Sequence, residues 1–569
     1  MWLGINYNGM HDSSIALIDR QGDVVLALSE ERLSRVKKDG RFPTKSLQLL
    51  DLKLVNTVAL PYLWETPAAS HGDTSFAREM FALPNRVSPM PEFWHKKALS
   101  LGLPIRCYDH HQCHAAAGFY FSGYHDALVV TLDAGAPNCA WSATVYLADS
   151  KGLNFVTGAP IADLWPLVKP YSDATAILGY KPNKHEGKLT GLAAHGMPNQ
   201  GCEELLWDIS CELGRREVNK SAPLLYEWNS HFTDDIPVLT VNPEVARECR
   251  DQLRRYSDAD IAHAAQALLT NKLMVILAEI RSTYPSESIV LSGGAFANVK
   301  LNLDVKHLGY KHIFVCPPMG DEGLSLGAGI LAWSDETGGT LNAKPLHNLY
   351  LGIAPSASVI SELDDLGITY HLETNIPHFV AKCLANDKTV AVVRGRMEYG
   401  PRALGNRSIL YRANDPSVND WLNKKLKRTE FMPFAPIVRA EDAEALFVTE
   451  DLVGSEHTAE YMTICMRCTD VMRIENPAVV HLDGTARPQL VTKNNAPFLH
   501  EVLSEYASLT GSRALINTSF NVHDEPIVAT VRDAIRAFSQ SGLDYLVFED
   551  AYLCMTDNLK SEVLGLNDN

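Results

Sequence analysis

The chain has 569 residues, 46% of them hydrophobic and 21% charged, with a formal net charge of −17. That length predicts two to four domains of roughly 150 residues each, and the acidic balance argues against nucleic acid as a main partner, which calls for a basic stripe. The eleven cysteines do not make a disulfide framework in a chain this long. No apolar run approaches the roughly 18 residues that span a bilayer, and MWLGINYNGMHDSS is not a basic-then-apolar leader. A cytoplasmic protein with no membrane partner is expected.

In chain order, LGINY, SSIALID and DVVLALS read as strands, joined by turns at Asn8-Gly9-Met10-His11 and Gln21-Gly22-Asp23. A helix is expected to start near Ser29, and NTVAL is a further buried strand. HHQCHAAAGFYF reads as a helix that stacks His110 and His114 on one face, within reach of a single cation. DALVVTLDAGA follows as a buried strand ending at Asp133, with SATVYLA and NFVTGA as a hairpin pair. A long amphipathic helix from about Asp260 to Arg281 is core by its spacing.

SIVLSGG, HIFVCPP and the helix DEGLSLGAGILAW then echo the strand-and-helix order of the start. Residues 336–358 lapse into Gly, Pro and Ser and read as a domain boundary. Beyond it, helices near 375–386, 497–511 and 531–542 alternate with strands KTVAVVRG, RALINTSF and DYLVFE, as in a second α/β domain. Cys465 and Cys468 form a lone CxxC in TICMRC, which reads as a strand with structural cysteines.

Several residues carry chemistry. Asp133, at the carboxyl end of a strand, sits where open α/β folds place ligands. Asp321 opens a Gly-rich helix, where it also suits an N-cap. With His110 and His114 these carboxylates form a mixed donor set that suits Fe(II), Mn(II) or zinc. Gly293 and Gly294 end a strand, and Asn298 and Asn302 follow one turn apart. Such glycines let backbone N–H groups approach phosphates, and amides can meet ribose or phosphate oxygens.

The order of blocks resembles a known family. His11-Asp12-Ser13-Ser14, Glu30-Glu31-Arg32, HHQCHAAAGFYFSG, HEGKLTGLAAHG, LSGGAFAN, PPMGDEGLSLGAG, RGRMEYGPRALGNRS, MPFAP, ARPQLV and LINTSFNVHDEPIV together look like the O-carbamoyltransferases of natural-product and nodulation-factor pathways. The resemblance covers nearly the whole chain. It implies an actin/hexokinase-like, two-lobed first domain over 1–345, similar to the tRNA threonylcarbamoyl-transfer enzymes. It also implies a YrdC-like α/β domain over 346–569, similar to the proteins that make threonylcarbamoyl-adenylate. The second domain would use Mg-ATP and carbamoyl phosphate to make carbamoyl-adenylate, releasing pyrophosphate. In the first, the hydroxyl of a small-molecule acceptor would displace AMP.

By position, His110, His114, Asp133 and Asp321 match the family's metal ligands, and the metal implied is iron. His11 matches its general base, a role that suits an imidazole titrating near neutrality. Gly187, Lys188 and Gly191 fall in a block that lines the family's nucleotide cleft, to which Asp12, Gly135, Gly293, Gly294, Asn298 and Asn302 are also assigned. Lys38 is a candidate acceptor contact. In the second domain Arg402, Arg407 and Arg487 present guanidinium forks suited to phosphate oxygens. Asn517, Ser519 and Asn521 fall in or beside the S-x-N element of adenylate-forming relatives. Their K-x-R element has no counterpart of the same spacing here. Lys427 and Arg428, in Lys424-Lys425-Leu426-Lys427-Arg428, are the candidates for its role. A dimer is the expected oligomeric state. Two rivals are a sugar-kinase-like phosphotransferase, which leaves the paired histidines and second domain unexplained, and a tRNA threonylcarbamoyl-type transferase, against which the acidic charge speaks.

Overall fold

The computed structural model describes residues 1–62, 92–133, 141–219, 223–228, 239–339, 341, 344–426, 433–522 and 524–555. The chain divides into two units, one of Met1–Glu30 and Lys38–Pro345, the other of Glu31–Lys37 and Leu346–Asn569. The short segment Glu31–Lys37 thus belongs with the second unit, although it lies early in the sequence. Within that unit Arg32 donates to the carbonyl of Gly400, and Arg35 to those of Pro526 and Ile527.

The first unit contains two five-stranded sheets of one plan. Strands β1 (Trp2–Asn6), β2 (Ser14–Ile18), β3 (Val24–Ser29), β4 (Thr57–Leu60) and β5 (Ile105–Cys107) lie in the order β3-β2-β1-β4-β5. The first three are antiparallel, and β4 and β5 add parallel to β1. Helix α1 (His110–Ser122) follows β5. The second sheet is built from β6 (Ala127–Leu132), β7 (Trp141–Asp149) and β8 (Gly152–Pro160). After helix α2 (Glu186–Ala193), a separate two-stranded ribbon of β9 (Tyr226–Trp228) and β10 (Leu239–Val241), and helix α3 (Asp258–Thr283), it is completed by β11 (Ser288–Ser292) and β12 (His312–Val315). Here β6 to β8 are antiparallel, while β11 and β12 run parallel to β6. Helix α4 (Val299–Lys306) connects β11 to β12, and α5 (Leu324–Thr337) follows β12. This duplicated arrangement is the actin/hexokinase-like plan expected from the sequence.

Runs such as ALVVTL in β6 are buried at every residue, as strands covered on both faces must be. Helix α3 is long and apolar enough to cross a membrane by length and composition. Its Ile261, Leu269, Leu273 and Leu277 are buried in the protein interior, which accounts for that apolarity without a bilayer. A capping box of Ser257 and Asp260 starts it.

The second unit is an α/β layer. Its mixed sheet comprises β13 (His371–Leu372), β14 (Val390–Val393), β15 (Arg407–Arg412), β16 (Ala435–Arg439), β19 (Gln489–Val491), β20 (Ala514–Ser519), β21 (Tyr545–Val547) and β22 (Ala551–Cys554), in the order β13-β22-β21-β14-β15-β20-β16-β19; β17 (Met466–Arg467) and β18 (Thr485–Ala486) pair separately. Helices α6 (Ile376–Ala385) and α7 (Pro497–Thr510) pack a shared core of Val380, Leu384, Leu499 and Leu503 against it. Cys465 and Cys468 flank β17 and are both buried.

Candidate metal centre and its surroundings

The fold brings four candidate ligands, far apart in sequence, together by using equivalent positions of its two sheets. His110 and His114 lie in the first turns of α1, the helix after β5; Asp321 stands just ahead of α5, the helix after β12. Asp133 follows β6, and His11 occupies the corresponding turn after β1. Gly327 lets the two helices meet, because a Cβ there would lie 1.9 Å from the carbonyl oxygen of Cys113.

One donor atom from each of His110, His114, Asp133 and Asp321 lies within 4.8 Å of all the others. His114 Nε2 is 3.5 Å from Asp133 Oδ2 and 3.8 Å from Asp321 Oδ1, and His110 Nε2 is 3.8 Å from the same Asp321 oxygen. Both histidines are buried, and their Nε2 atoms have no hydrogen-bond partner. Converging, orphaned imidazole nitrogens facing two carboxylates are costly unless something bonds them. A divalent cation fits this set in charge and donor type. Asp109 caps α1 by accepting from the Gln112 N–H, which fixes the helical start on which the histidines depend.

The carboxylates are held by their neighbours. The Gly294 N–H donates to Asp133 Oδ2 at 2.9 Å. Gly293 makes this possible with φ of +105°, where an added Cβ would be 2.3 Å from the Leu132 carbonyl oxygen. Asp321 does not cap its helix: Gly320 is the cap residue of the opening turn, and the Asp321 carboxylate faces the imidazoles and the Asn8 amide instead. Beneath the ligands, the neighbouring His111 is fully buried between Thr131 Oγ1 and the Trp141 carbonyl.

Electrostatics differ among the imidazoles. Burial pushes His110 down to about 4. Burial also acts to lower His114, but Asp133 and Asp321 outweigh it and raise it to about 9. His11 likewise sits at about 9, burial opposing and the Asp12 contact and Asp321 charge prevailing. Burial acts to raise Asp133, yet His114 and the Gly294 N–H hold it well below the usual carboxylate range.

His11 Nδ1 is 3.1 Å from Asp12 Oδ2, which also accepts from Lys38 Nζ at 2.8 Å. Asp12 and Lys38 both adopt left-handed backbone, at φ of +57° and +56°, a conformation that bulkier residues rarely hold outside constrained sites. Burial acts to lower Lys38, but Asp12, with Glu322 behind it, holds it above the usual lysine range, and burial lifts Glu322 itself to about 7.

Other residues singled out from the sequence are placed as follows. Lys188 and Gly191 are buried in α2, and Gly187 is exposed at its start. Asn298 caps α4 and donates to Gln266, while Asn302 is fully buried and donates to the Phe296 carbonyl. These amides hold the β11–α4 connection, so Asn302 offers no surface to a nucleotide. Gly135, Lys427 and Arg428 lie outside the described residues.

In the second unit, Arg407 corrects the expectation of a phosphate contact. It is 0% exposed, and its guanidinium donates to the carbonyls of Ile353, Arg394, Gly395, Asn406 and Ala529. It is a bolt through the GPRALGNRS loop. Glu398 works beside it, one carboxylate oxygen accepting from the N–H groups of Leu404, Asn406 and Arg407. Arg402 and Arg487 are half-buried. Asn517 is buried and donates to Ala403 O and Gln489 Oε1. Ser519 Oγ donates to Asn521 Oδ1 at 2.7 Å, and Asn521 ties down the loop through Val522 and Glu525. Sequence reasoning missed Glu398, Asn6 and Asn8; the signal was a polar residue set within an otherwise buried strand or loop.

Two family descriptions match: Carbamoyltransferase N-terminus over residues 52–330 and Carbamoyltransferase C-terminus over residues 381–554. The chain belongs to the carbamoyltransferase family and is a carbamoyl-transfer enzyme. Nodulation protein NolNO of Sinorhizobium fredii (strain NBRC 101917 / NGR234) is 29% identical, over 95% of this chain and 78% of its own length. The 3'-hydroxymethylcephem-O-carbamoyltransferase of Streptomyces clavuligerus is 29% identical over 65% of this chain and 69% of its own. Among solved structures, full-length HypF in the phosphate- and nucleotide-bound form is similar at 15% identity and a TM-score of 0.28, over 58% of this chain and 46% of that one.

Proposed function

We propose that this chain is an ATP-dependent O-carbamoyltransferase acting in two steps. In the second unit water would cleave carbamoyl phosphate to carbamate and inorganic phosphate, and the carbamate oxygen would then attack the α-phosphorus of ATP, giving carbamoyl-adenylate with pyrophosphate released. A hydroxyl of a small-molecule acceptor would then take the carbamoyl group in the first unit, with AMP leaving. The observation that carries this reading is the cluster of His110, His114, Asp133 and Asp321 with His11 3.8 Å from Asp321, in a chain whose family transfers carbamoyl groups.

The residues have defined tasks in this scheme. With Nδ1–H given to Asp12, Nε2 is the His11 atom that would take the hydroxyl proton, once the imidazole is neutral; a cation at the neighbouring carboxylates would offset the Asp321 charge that raises His11 and favour that neutral form. The acceptor oxygen attacks the carbamoyl carbon, whose nitrogen makes it a poor electrophile, and expulsion of AMP completes the transfer. His110, His114, Asp133 and Asp321 would hold a divalent cation, with iron the proposed metal, which supplies Lewis acidity and a template for phosphate and carbonyl oxygens. Lys38, ion-paired to Asp12, keeps that carboxylate anionic beside the base and borders the acceptor position. Lys188 would lie along the nucleotide. Arg402 and Arg487, with Ser519 and Asn521, would bind ATP and carbamoyl phosphate.

The test is AMP release from ATP, measured with and without carbamoyl phosphate and with a panel of hydroxylated metabolites. Carbamoyl phosphate-dependent AMP, together with a carbamoyl mass gain on one metabolite, supports the proposal. Formation of ADP would indicate a phosphotransferase and overturn it.

A further inference from the structure

Asn8 is almost wholly buried, at 1% exposure, and nothing in the two-step scheme uses it. Its side chain nonetheless faces two ways. Oδ1 accepts from the backbone N–H of Met10 at 2.8 Å and of His11 at 2.7 Å. Nδ2 donates to Asp321 Oδ2 at 2.8 Å. The other Asp321 oxygen, Oδ1, is the one turned toward His110 and His114. One amide therefore fixes the turn that carries His11 and the rotation of a ligand carboxylate at the same time.

We propose that Asn8 is a positioning residue that couples the metal centre to the His11 turn; the inference rests on the metal-site reading above. Occupying one carboxylate oxygen with a neutral amide donor leaves the other as a single, oriented ligand, the role that outer hydrogen bonds take at metal sites. A shift of Asp321 toward a bound cation is transmitted through the amide to the backbone of residues 10 and 11. The coupling is local and direct, through a single side chain.

A second asparagine separates this role from mere assembly. Asn6 Nδ2 donates to the backbone carbonyls of both Asp12 and Asp321, each at 2.7 Å, and the Tyr62 hydroxyl donates to Asn6 Oδ1. Asn6 thus fastens the two backbones together. Removing the Asn8 amide leaves that fastening in place and deletes only the orientation of the carboxylate and the cap on the turn.

The experiment uses the full chain and Co2+ alone as probe, read by its visible d–d spectrum and by amide hydrogen exchange across residues 9–13. In the wild type, Co2+ should bind and slow exchange in the turn. Asn8→Ala should remain folded, bind Co2+ about 10- to 100-fold more weakly, and show turn exchange indifferent to Co2+. Asn8→Ser keeps an oxygen able to cap the turn, but its one hydroxyl is a bond shorter than the Asn8 amide and does not reach Asp321 Oδ2 while it caps the turn. It should weaken Co2+ binding to a similar extent, and it decides the matter if the alanine variant does not fold. Wild-type affinity in both variants, or a turn that still responds to Co2+ in either, would overturn the coupling while leaving the metal site standing. A wild type that takes up no Co2+ at these ligands would remove the metal-site reading and the coupling with it.

Discussion

Asp133 and Gly294 form a candidate ligand and its brace: the Gly294 N–H donates to Asp133 Oδ2 at 2.9 Å, and that same oxygen stands 3.5 Å from His114 Nε2. Two parallel neighbours of one sheet, β6 and β11, end side by side, so a carboxylate after one meets a backbone amide after the other. The brace holds only because Gly293 takes a backbone conformation that a side chain would strain.

Gly293→Ala should therefore destabilise the first unit by about 2 kcal/mol from backbone strain alone, with the contact to the Leu132 carbonyl adding to it. Denaturant unfolding followed by a probe in that unit checks the loss, and metal affinity should fall with it as the Gly294 N–H moves. An unchanged unfolding midpoint would contradict the account of the brace.

His114→Ala removes a ligand whose Nε2 faces both carboxylates. Metal content after purification, or Co2+ affinity by titration, should drop by at least about 100-fold, beyond the range of an outer-shell change. Retained stoichiometry would take His114 out of the ligand set.

His11→Ala should lower carbamoyl transfer by about 10²- to 10⁴-fold, the usual scale for a lost general base, while ATP–pyrophosphate exchange stays close to wild type. Arg402→Ala should do the reverse, abolishing exchange yet still consuming supplied carbamoyl-adenylate. Equal loss of both half-reactions in both variants would show that the steps are not divided between the units as proposed.

Arg407→Met addresses a different question. Taking away a buried guanidinium that donates to five carbonyls should cost about 3 kcal/mol in the second unit; the Ile353 and Asn406 carbonyls keep the backbone N–H groups of Met397 and Arg394. Arg407→Lys has a single ammonium and cannot span the same carbonyls, so it should rescue little. A variant of normal stability with a raised KM for ATP would instead return Arg407 to the ligand-binding role its motif suggested.

The linear chain by itself determined the element types and pointed to His110, His114, Asp133 and Asp321, which the fold brings together. Strand-length apolar runs such as ALVVTL and SIVLS, and the helical spacing of His110 and His114, are local patterns that burial and the 3.6-residue turn write directly into sequence. The duplicated strand order was legible for the same reason. Only the tertiary structure decided how each polar side chain is used. Arg407 and Arg402 stand five residues apart in one motif with the same chemistry, yet one is buried among carbonyls and the other is half-exposed. Asn302 likewise faces inward, and Asn8, which has no motif of its own, joins His11 to a carboxylate 313 positions away. A hydrogen bond depends on distance and direction between groups remote in sequence, and those are set by how strands and helices pack, not by spacing along the chain.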